Sequence, residues 1–576
     1  MTTQKFEFKR TLSHVFITFI AIMLVACGSM APQAPQGPIS LGAASGTEAA
    51  KACAALAAPI DAAAVGLPSS GTTIDSVAMV AASALQIAPN GPTPAARVNP
   101  EAPANCKVLG RILPVDKTAP PILFQVNLPL NWNGRTVQYG GGGFNGTLVS
   151  ATGLIPAGRF DQPAPLAQGY ITLGTDSGHQ NKPGESLQAF AANDEAFENF
   201  AHASYKKVRD VGVALAQRAY GRAPYKIYFV GSSEGGREGL MMAQRYPNDF
   251  DGIFSRVPVV NWTGLMHAYI PLGLALQGDG WLPRDKVELV HKAVLAACDE
   301  IDGVKDGLIA NPVGCKARFN VASLQCTGAN AENCLTAPQV KAVQQLHTPY
   351  NFPFALTNGV TQYPGWGVSG EGTTGSGPQG GWISWTTGDS APTHPAKPDN
   401  ARGWTYGSGA ISNIYIRDPK FDLAKYRPEF FHTRVLEVSR MMDATNPDLS
   451  AFYARGGKLM MLEYMADYAQ SPYAGIGYFD SVVKKMGRET VDKFAKLYVA
   501  PGVDHVGSGA PANVDLLSAL TAWVEREEAP ARLTVVDQTL TLPITTTREL
   551  PLCEWPLWPK YTAGDPNRPL SFTCSP

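Results

Sequence analysis

Short apolar and aromatic runs of strand length recur along the chain. They predict strands at Leu123–Pro129, Arg135–Tyr139, Tyr170–Leu173, Lys226–Val230, Gly457–Tyr464 and Ala495–Ala500. Helical spacing of apolar residues, or a helix-forming composition, predicts helices at Ala203–Tyr220, Glu234–Tyr246 and Val514–Glu525. The run KIYFV at 226–230 is typical of a buried parallel strand. A strand, a sharp glycine turn and a helix in succession predict an α/β fold.

The segment 260–442 differs in composition from the sequence on either side of it. It contains four of the nine Cys and a long stretch rich in Gly, Thr, Ser and Pro at 365–381. Runs typical of buried strands resume only after this segment. The pattern predicts one α/β domain, formed by 51–259 and 443–576, that is interrupted by an inserted domain at 260–442.

The N-terminus has the pattern of an export signal. A basic start at 1–10 precedes an apolar run at 15–25, which is too short for a membrane span and predicts a signal peptide at 1–26. The sequence LVAC, which ends at Cys27, resembles a bacterial lipobox and predicts a lipid on Cys27 and a tether at 27–50. The alternative is an ordinary signal peptide with an incidental Cys27. We expect a periplasmic, outer-membrane-anchored or secreted protein whose membrane contact is through this lipid.

Charge and composition exclude several classes of protein. Lys and Arg number 47 against 48 Asp and Glu, so the net charge of −1 gives no electrostatic footprint for a nucleic acid, and no such partner is expected. Charged residues at 16% and hydrophobic residues at 45% exclude a charge-rich disordered chain. Eight Cys remain after Cys27, which predicts four disulfides in an exported chain; their pairing is open, and sequential pairing is the simplest.

A candidate nucleophile follows the strand predicted at 226–230. Gly231–Gly235 reads GSSEG, the G-x-S-x-G pattern with Ser233 at its centre. A nucleophilic serine on a tight strand-to-helix turn requires small neighbours, because its backbone is strained and its hydroxyl must be free. The next helix directs its N-terminal amides at a developing oxyanion. This context favours a catalytic serine over an ordinary serine–glycine turn.

The partners of such a serine follow it in the order acid, then histidine. His505 lies in a loop directly after one predicted strand, and Asp467 follows the preceding predicted strand. We therefore expect both side chains at neighbouring strand ends, within reach of Ser233. Asp504 is a weaker candidate for the acid, because the side chains of consecutive residues diverge.

Acyl transfer also requires donors for the oxyanion. The tract GGGGFNG at Gly140–Gly146 follows a predicted strand, as an oxyanion loop does. We expect the backbone N–H groups of Gly143 and Glu234 to form the hole. Dinucleotide binding is disfavoured, because the tract lacks a G-x-G-x-x-G pattern followed by a helix and a distal acid.

The motifs of this chain resemble those of the tannase/feruloyl esterase family, which includes bacterial mono(2-hydroxyethyl) terephthalate hydrolase. The resemblance covers most of the chain, roughly 53–574. It is carried by the tract 140–146 together with TDSGH at 175–179, GSSEGGREGL at 231–240, AQRYPNDFDGI at 243–253, CDEIDGVKDGL at 298–308 and PGVDH at 501–505. It implies an α/β-hydrolase core with a large inserted lid domain at 260–442.

The resemblance also implies site residues. Its triad corresponds to Ser233, Asp467 and His505. Its disulfides correspond to the sequential set, Cys53–Cys106, Cys298–Cys315, Cys326–Cys334 and Cys553–Cys574.

The acidic segment 299–308 lacks EF-hand spacing and, taken by itself, is typical of a solvated turn. The resemblance implies instead that it binds a structural Ca²⁺ in the lid. The implied ligands are the side chains of Asp299, Asp302 and Asp306 and the carbonyls of Val304 and Leu308. We expect no catalytic use for this ion, because the segment lies far along the chain from the triad.

The chain departs from the family at two positions. Many members carry one Cys just before the nucleophile and another just after the catalytic His, and these form a disulfide between the two loops. Here the positions hold Ser232 and Val506. Both Cys are absent together, so the loop of His505 lacks that covalent tie.

The substrate is the least determined feature. Aromatic residues at 382–415 are candidate walls for a flat acyl group, with packing in the lid core as the alternative. Trp385 best matches a family residue that packs on the substrate. The terephthalate-monoester hydrolase holds a free carboxylate with a lid Arg, for which Arg402 is the candidate here. That enzyme also has a His where this chain has Glu463.

Together these features predict a secreted serine carboxylesterase that cleaves small esters of aromatic acids, of the feruloyl or galloyl type, through an acyl-enzyme. One alternative is a terephthalate-type monoester hydrolase. Another, of a different class, is a non-catalytic, surface-anchored binding protein on a hydrolase fold. The joint presence of nucleophile, acid, base and oxyanion loop argues against the binding protein. The sequence leaves the oligomeric state open.

Overall fold

The computed structural model describes residues 40–43, 45–89, 96–328, 332–372 and 380–576. The signal peptide predicted at 1–26, Cys27 and most of the tether predicted at 27–50 lie outside these residues. The last part of that tether is not a linker, because residues 46–50 begin helix α1 (Gly46–Ala54), which buries Ala49 and Cys53. The Ala-rich sequence there has high helix propensity, and this composition explains the difference.

The strands of the described residues divide between a large sheet and short hairpins. In chain order they are β1 (Thr72–Val80), β2 (Gln86–Pro89), β3 (Ala96–Asn99), β4 (Asn105–Ile112), β5 (Ile122–Pro129), β6 (Arg135–Tyr139), β7 (Ile171–Thr175), β8 (Lys226–Ser232), β9 (Gly252–Arg256), β10 (Tyr350–Asn351), β11 (Gln362–Tyr363), β12 (Lys458–Tyr464), β13 (Ala495–Ala500), β14 (Leu533–Gln538), β15 (Thr546–Glu554), β16 (Trp558–Tyr561) and β17 (Phe572–Ser575).

The α-helices after α1 connect these strands or belong to the inserted segment. They are α2 (Asp194–Glu198), α3 (Ser204–Tyr220), α4 (Glu234–Arg245), α5 (Trp262–Ala275), α6 (Arg284–Cys298), α7 (Pro312–Arg318), α8 (Ala337–His347), α9 (Arg402–Ala410), α10 (His432–Met442), α11 (Ser450–Ala454), α12 (Pro472–Met486), α13 (Arg488–Val491) and α14 (Leu516–Arg526). Among the residues that the structure describes, none of the helices has the length and apolar character needed to span a bilayer.

The large sheet has a parallel centre. Within the described residues it contains eleven strands in the order β1-β4-β5-β7-β6-β8-β9-β12-β13-β15-β14. The pairings from β7–β6 to β12–β13 are parallel, and those toward both edges are antiparallel. The carboxyl ends of parallel strands meet at one edge, which is where α/β proteins place their sites.

Helices cover both faces of this sheet, because successive side chains of a strand point to opposite faces. On β8, Tyr228 and Val230 pack in one cluster with Leu520 of α14. Phe229 packs on the other face with Leu240 of α4. A sheet with a parallel centre, between two layers of helices, confirms the α/β fold that the succession of strand, glycine turn and helix predicted.

The segment between β9 and β12 forms the insertion. These two strands are neighbours, with Gly252 opposite Lys458, so the chain leaves the sheet and returns beside its point of departure. Between them lie α5 to α11, with α5 starting at Trp262 and α10 ending at Met442. Its buried side chains, such as Trp262 and Ile411, form one hydrophobic cluster with residues outside the segment, among them Phe144 and Phe200.

The disulfides pair in sequential order. In the described part of the chain four are formed: Cys53–Cys106, Cys298–Cys315, Cys326–Cys334 and Cys553–Cys574. This pairing confirms the prediction. The first joins α1 to β4, and the last joins β15 to β17 near the C-terminus. Each therefore ties a peripheral element to a neighbour.

One buried strand carries a carboxyl group without a hydrogen-bond partner in the described part of the chain. Glu463 on β12 is 1% exposed, and neither of its carboxyl oxygens has a hydrogen-bond partner among the described residues. Burial raises the pKa of Glu463 well above its usual range, and the negative charge of Asp467 raises it further. Folding therefore favours the neutral form of this carboxyl group.

We predict that Glu463→Gln makes the protein less sensitive to rising pH. Between the ordinary carboxyl pKa and the raised one, the folded protein keeps a proton that the unfolded chain releases, so wild-type stability falls as pH rises. Gln cannot ionise, so between pH 5 and pH 8 the melting temperature of the variant should gain on that of the wild type for as long as the pH lies below the raised pKa of Glu463. Calorimetry of both proteins across this range measures the difference. A gap that does not change with pH would contradict the prediction.

Candidate active site

The turn between β8 and α4 presents the hydroxyl of Ser233. Ser233 has φ 60° and ψ −120°, a region that L-residues rarely occupy. Glycines make the turn possible, because a Cβ on Gly231 would lie 2.0 Å from the carbonyl oxygen of Gly235. The turn is anchored by the Ser233 N–H, which donates to the Arg256 carbonyl at 3.0 Å. The geometry is that of a strained turn that carries a half-buried serine, as predicted for the nucleophile.

Three loops at the carboxyl edge of the sheet bring the predicted triad together. His505 Nε2 lies 3.0 Å from Ser233 Oγ, and His505 Nδ1 lies 2.7 Å from Asp467 Oδ2. His505 is 8% exposed and Asp467 is 3% exposed. With Nδ1–H donating to the carboxylate, Nε2 is free to accept the hydroxyl proton of Ser233.

The backbone beyond β12 holds Asp467 in place. Asp467 Oδ1 accepts hydrogen bonds from the amides of Ala469 and Gln470 at 2.8 and 3.0 Å. Its other oxygen is left for His505. The carboxylate is therefore fixed by groups other than the imidazole that it orients.

Asp504 organises the loop of His505. Its Oδ1 accepts from the amides of Val506 and Ser508 at 3.0 and 2.8 Å, and its own N–H donates to the Ser508 carbonyl at 2.8 Å. These bonds close a tight turn around His505. The structure thus places Asp504 beside the triad but directs this oxygen at its own loop.

Two backbone amides are free beside the nucleophile. Gly143 and Glu234 line one cavity with Ser233. Neither amide N–H donates to another group within the described residues. Gly143 has φ 60°, which favours glycine at this point of the loop. Both predicted oxyanion donors therefore lie next to the predicted nucleophile with their N–H groups available.

The cavity beside Ser233 has aromatic walls and little free space. Its volume is about 20 Å³, which is roughly the space of one water molecule. Trp385 lies on it with its ring 5.8 Å from the ring of His505, and Tyr406 contacts both Trp385 and Phe144 edge-on. Trp382, Trp404 and Tyr415, in contrast, are buried in the inserted segment.

Helix α5 supplies walls that the sequence analysis did not identify. Trp262, Met266 and Tyr269 line the cavity from this helix. The available signal was its mostly apolar sequence, which is typical of a helix buried on all sides but does not say which residues face a cavity.

Arg402 does not join the cavity. It is exposed at the start of α9, whereas Tyr406, one turn later on the same helix, lines the cavity. In this structure Arg402 is therefore not among the described residues that face Ser233.

A hydrogen bond holds Ser232, which occupies one of the two positions where the family resemblance led us to expect a Cys. The Oγ of Ser232 accepts from Arg256 Nε at 2.8 Å, and the same guanidinium lies 5.1 Å from the ring centroid of Tyr464. Val506, the other such position, is 55% exposed. Arg256 thus holds the turn of the nucleophile by a polar contact.

The acidic loop after α6 is partly arranged by its own amides. Asp299 Oδ1 accepts from the amides of Asp306 and Gly307, while Asp306 Oδ2 pairs with Arg548. Asp302 Oδ2 is buried with no hydrogen-bond partner among the described residues. Oxygen donors of this kind suit Ca²⁺, and the unpartnered oxygen fits such an ion. No three His, Cys, Asp or Glu side chains in the described ranges are, however, grouped to hold a metal.

This loop is close to the triad in space, although it is distant along the chain. The amides of Val304 and Leu308 donate to Asp302 and Asp306 at 3.2 and 3.1 Å. The side chain of Leu308 packs against Gly502, three residues before His505. Order in the acidic loop therefore supports the loop that carries the imidazole.

Comparison with known proteins places this site in a family. The family model for tannase and feruloyl esterase matches residues 106–575. An uncharacterized esterase of Agrobacterium fabrum is 37% identical over 93% of this chain and 95% of its own. The mono(2-hydroxyethyl) terephthalate hydrolase of Piscinibacter sakaiensis is 32% identical over 82% of this chain and 85% of its own.

A solved structure gives the same answer for the fold. Feruloyl esterase B from Aspergillus oryzae superposes with a TM-score of 0.72 at 22% identity, covering 91% of this chain and all of that one. The likeness confirms the α/β-hydrolase fold. With the match of the family model over most of its length, the chain belongs to the tannase and feruloyl esterase family of carboxylic ester hydrolases.

Proposed function

We propose that this esterase hydrolyses small esters of aromatic acids, of the feruloyl or galloyl type. The observation that carries the proposal is the cavity beside Ser233, whose walls include Trp262, Trp385 and Tyr406. Flat rings stack on or against such walls, with large apolar areas removed from water; because the cavity is only about 20 Å³, the walls have to move apart to admit the ring. The names of the family and of its relatives point to the same substrate class.

The geometry suits a two-step mechanism with an acyl-enzyme. The Oγ of Ser233 attacks the ester carbonyl carbon while His505 Nε2 takes the hydroxyl proton. His505 then gives this proton to the alcohol, which leaves. A water molecule attacks the acyl-enzyme, again losing a proton to His505, and the acid departs as that proton returns to Ser233. Asp467 stabilises the imidazolium, and the N–H groups of Gly143 and Glu234 hold the oxyanion in both steps.

Terephthalate monoesters are a second substrate class. The relative from Piscinibacter sakaiensis favours it through its name. A free carboxylate on the ring needs a cation, and Arg402 lies outside the cavity. We therefore place hydroxycinnamates and gallates ahead of terephthalate monoesters.

We predict that turnover depends on Ser233 and favours aromatic acyl groups. Purified protein lacking residues 1–27 is assayed with methyl ferulate, methyl gallate, a terephthalate monoester and p-nitrophenyl acetate. Ser233→Ala should lower kcat by a factor of roughly 10⁴ or more on each substrate, with an unchanged melting temperature. Preference for the terephthalate monoester would move the second class to first place, and equal turnover by the variant would contradict the catalytic role of Ser233.

We propose that Ca²⁺ stabilises the acidic loop of the lid. The ligand side chains would be Asp299, Asp302 and Asp306, with the carbonyls of Val304 and Leu308, and the ion would neutralise their negative charge. Support comes from the buried, unpartnered Asp302 Oδ2 and from the oxygen-rich loop closed by Cys298–Cys315. A role in stability fits the packing of Leu308 against the loop of His505.

We predict that Ca²⁺ raises the melting temperature of the wild type by several degrees and that Asp302→Asn abolishes this rise. An ion that binds the folded state stabilises it by mass action. Glu300→Gln is the matched control, because Glu300 lies in the same loop with a side chain that is 71% exposed. Scanning calorimetry with Ca²⁺, with Mg²⁺ and with a chelator measures the effect. Equal melting temperatures in all three conditions would exclude a structural Ca²⁺.

We also propose that the protein is exported and carries a lipid on Cys27. Disulfides persist in oxidising compartments. Among the described residues, eight Cys form four disulfides. The basic start, the apolar run and the lipobox-like LVAC supply the remaining support.

We predict that bacteria expressing the full chain attach labelled fatty acid to the wild type and not to Cys27→Ala. The lipid should retain the wild type in the membrane fraction, because two or more acyl chains bind membranes stably. Gel autoradiography and fractionation measure both properties. Export of both proteins without label would instead favour an ordinary signal peptide.

A further inference from the structure

A buried carboxylate connects the nucleophile helix to the oxyanion loop. Glu238 lies on α4 one turn after Glu234 and is fully buried. Its Oε2 accepts a hydrogen bond from the Gly141 N–H at 2.8 Å. Its Oε1 accepts from the side-chain amide of Asn145 at 2.8 Å. The two oxygens of one side chain thus contact the loop 140–146 at two points.

Asn145 also forms hydrogen bonds to its own loop and to α3. Its Oδ1 accepts from the Gly142 N–H, and its Nδ2 also lies 2.6 Å from the hydroxyl of Tyr205 on α3. Asn145 has φ 44°, in the left-handed region that Asn tolerates better than most residues. The hydrogen bond between Asn145 Oδ1 and the Gly142 N–H closes a short turn, and Gly143 lies within this turn.

The contact requires a carboxylate. Both loop groups that meet Glu238 are donors, and a carboxylate accepts at both of its oxygens, whereas a glutamine presents one oxygen and one donating NH₂. Burial raises the pKa of Glu238 to about 7, with the charge of Glu234 as the next contribution, while Arg237 and the Gly141 amide lower it. A buried acid is costly, and packing of α4 alone would be served by an apolar side chain.

We infer that Glu238 is a positioning residue of the oxyanion hole. It fixes the loop 140–146 relative to α4, so that the N–H of Gly143 and the N–H of Glu234 converge on one oxygen. The inference rests on the proposed function, in which these amides hold the oxyanion. Glu238 itself does not line the cavity beside Ser233 among the described residues.

The test is a pair of exchanges between a carboxylate and an amide. Glu238→Gln leaves an acceptor for Gly141 but turns a donor toward Asn145. We expect kcat for p-nitrophenyl acetate to fall about 100-fold, as misplacement of a catalytic group can cost, with KM within about twofold. Asn145→Asp is then added. The carboxylate that this change introduces accepts from the Gly142 N–H, from the amide at 238 and from the Tyr205 hydroxyl, which in the wild type accepts from Asn145 Nδ2. The double variant should recover most of the lost kcat.

A control separates positioning from general stability. Glu525→Gln also breaks a charged contact, because Glu525 pairs with Arg135 and accepts from Tyr228. Arg135 begins β6, so this contact lies at the amino edge of the parallel strands, opposite Ser233. Glu525→Gln should lower the melting temperature and leave kcat within about twofold of the wild type.

The outcomes decide the inference in either direction. A loss of kcat in Glu238→Gln that the double variant recovers supports it. Wild-type kcat in Glu238→Gln, or no recovery in a double variant that melts as the wild type does, overturns it. Hydrolysis of p-nitrophenyl acetate measures serine esterase chemistry whatever acyl group the enzyme prefers. An error in the proposed substrate class would therefore appear in the substrate panel described above and would not affect this test.

Discussion

The strained backbone of Ser233 is the constraint on which the rest of the site depends. A residue held in this region of φ and ψ costs about 1–3 kcal/mol and persists only where the surroundings determine it. Here β8 lies between two parallel neighbours, and α4 is buried along nearly its whole length. Because strand and helix are both fixed, the turn has no freedom to relax, and the hydroxyl stays where the imidazole can reach it.

A buried ion pair connects this turn to the inserted segment. Arg237 is fully buried, pairs with Glu234, and donates to the carbonyls of Ala201 and Met442. Such a pair adds little net stability, but loss of one partner leaves an uncompensated charge in the core. The residue after the nucleophile, the helix that follows it and the end of the lid are thereby held by one guanidinium.

Much of the core could be predicted from local patterns, because buried parallel strands have a strong apolar signal. The strands Arg135–Tyr139 and Ala495–Ala500 occur with the predicted bounds, and Ser233, Asp467 and His505 lie where motif order placed them. The edge strand β1 was not predicted, since its side chains are mostly half-buried or exposed and lack that signal. Cavity walls such as Tyr269 could not be predicted, because they depend on how α5 packs. Arg402 was expected to contact the substrate but does not line the cavity, because the sequence of a helix alone does not show which of its faces turns toward the site.

The insertion leaves and rejoins the sheet at adjacent strands, so its length can change without moving its two ends. Residues on β9 and β12 are already paired by the sheet, so the ends of this segment of about 200 residues are held together whatever its length. The entropy of closing a loop grows only with the logarithm of its length, by about 0.6 kcal/mol for each doubling. Lengthening this segment therefore costs little loop-closure entropy, provided that the residues packed on the α/β part, such as Met442 beside Arg237, are kept.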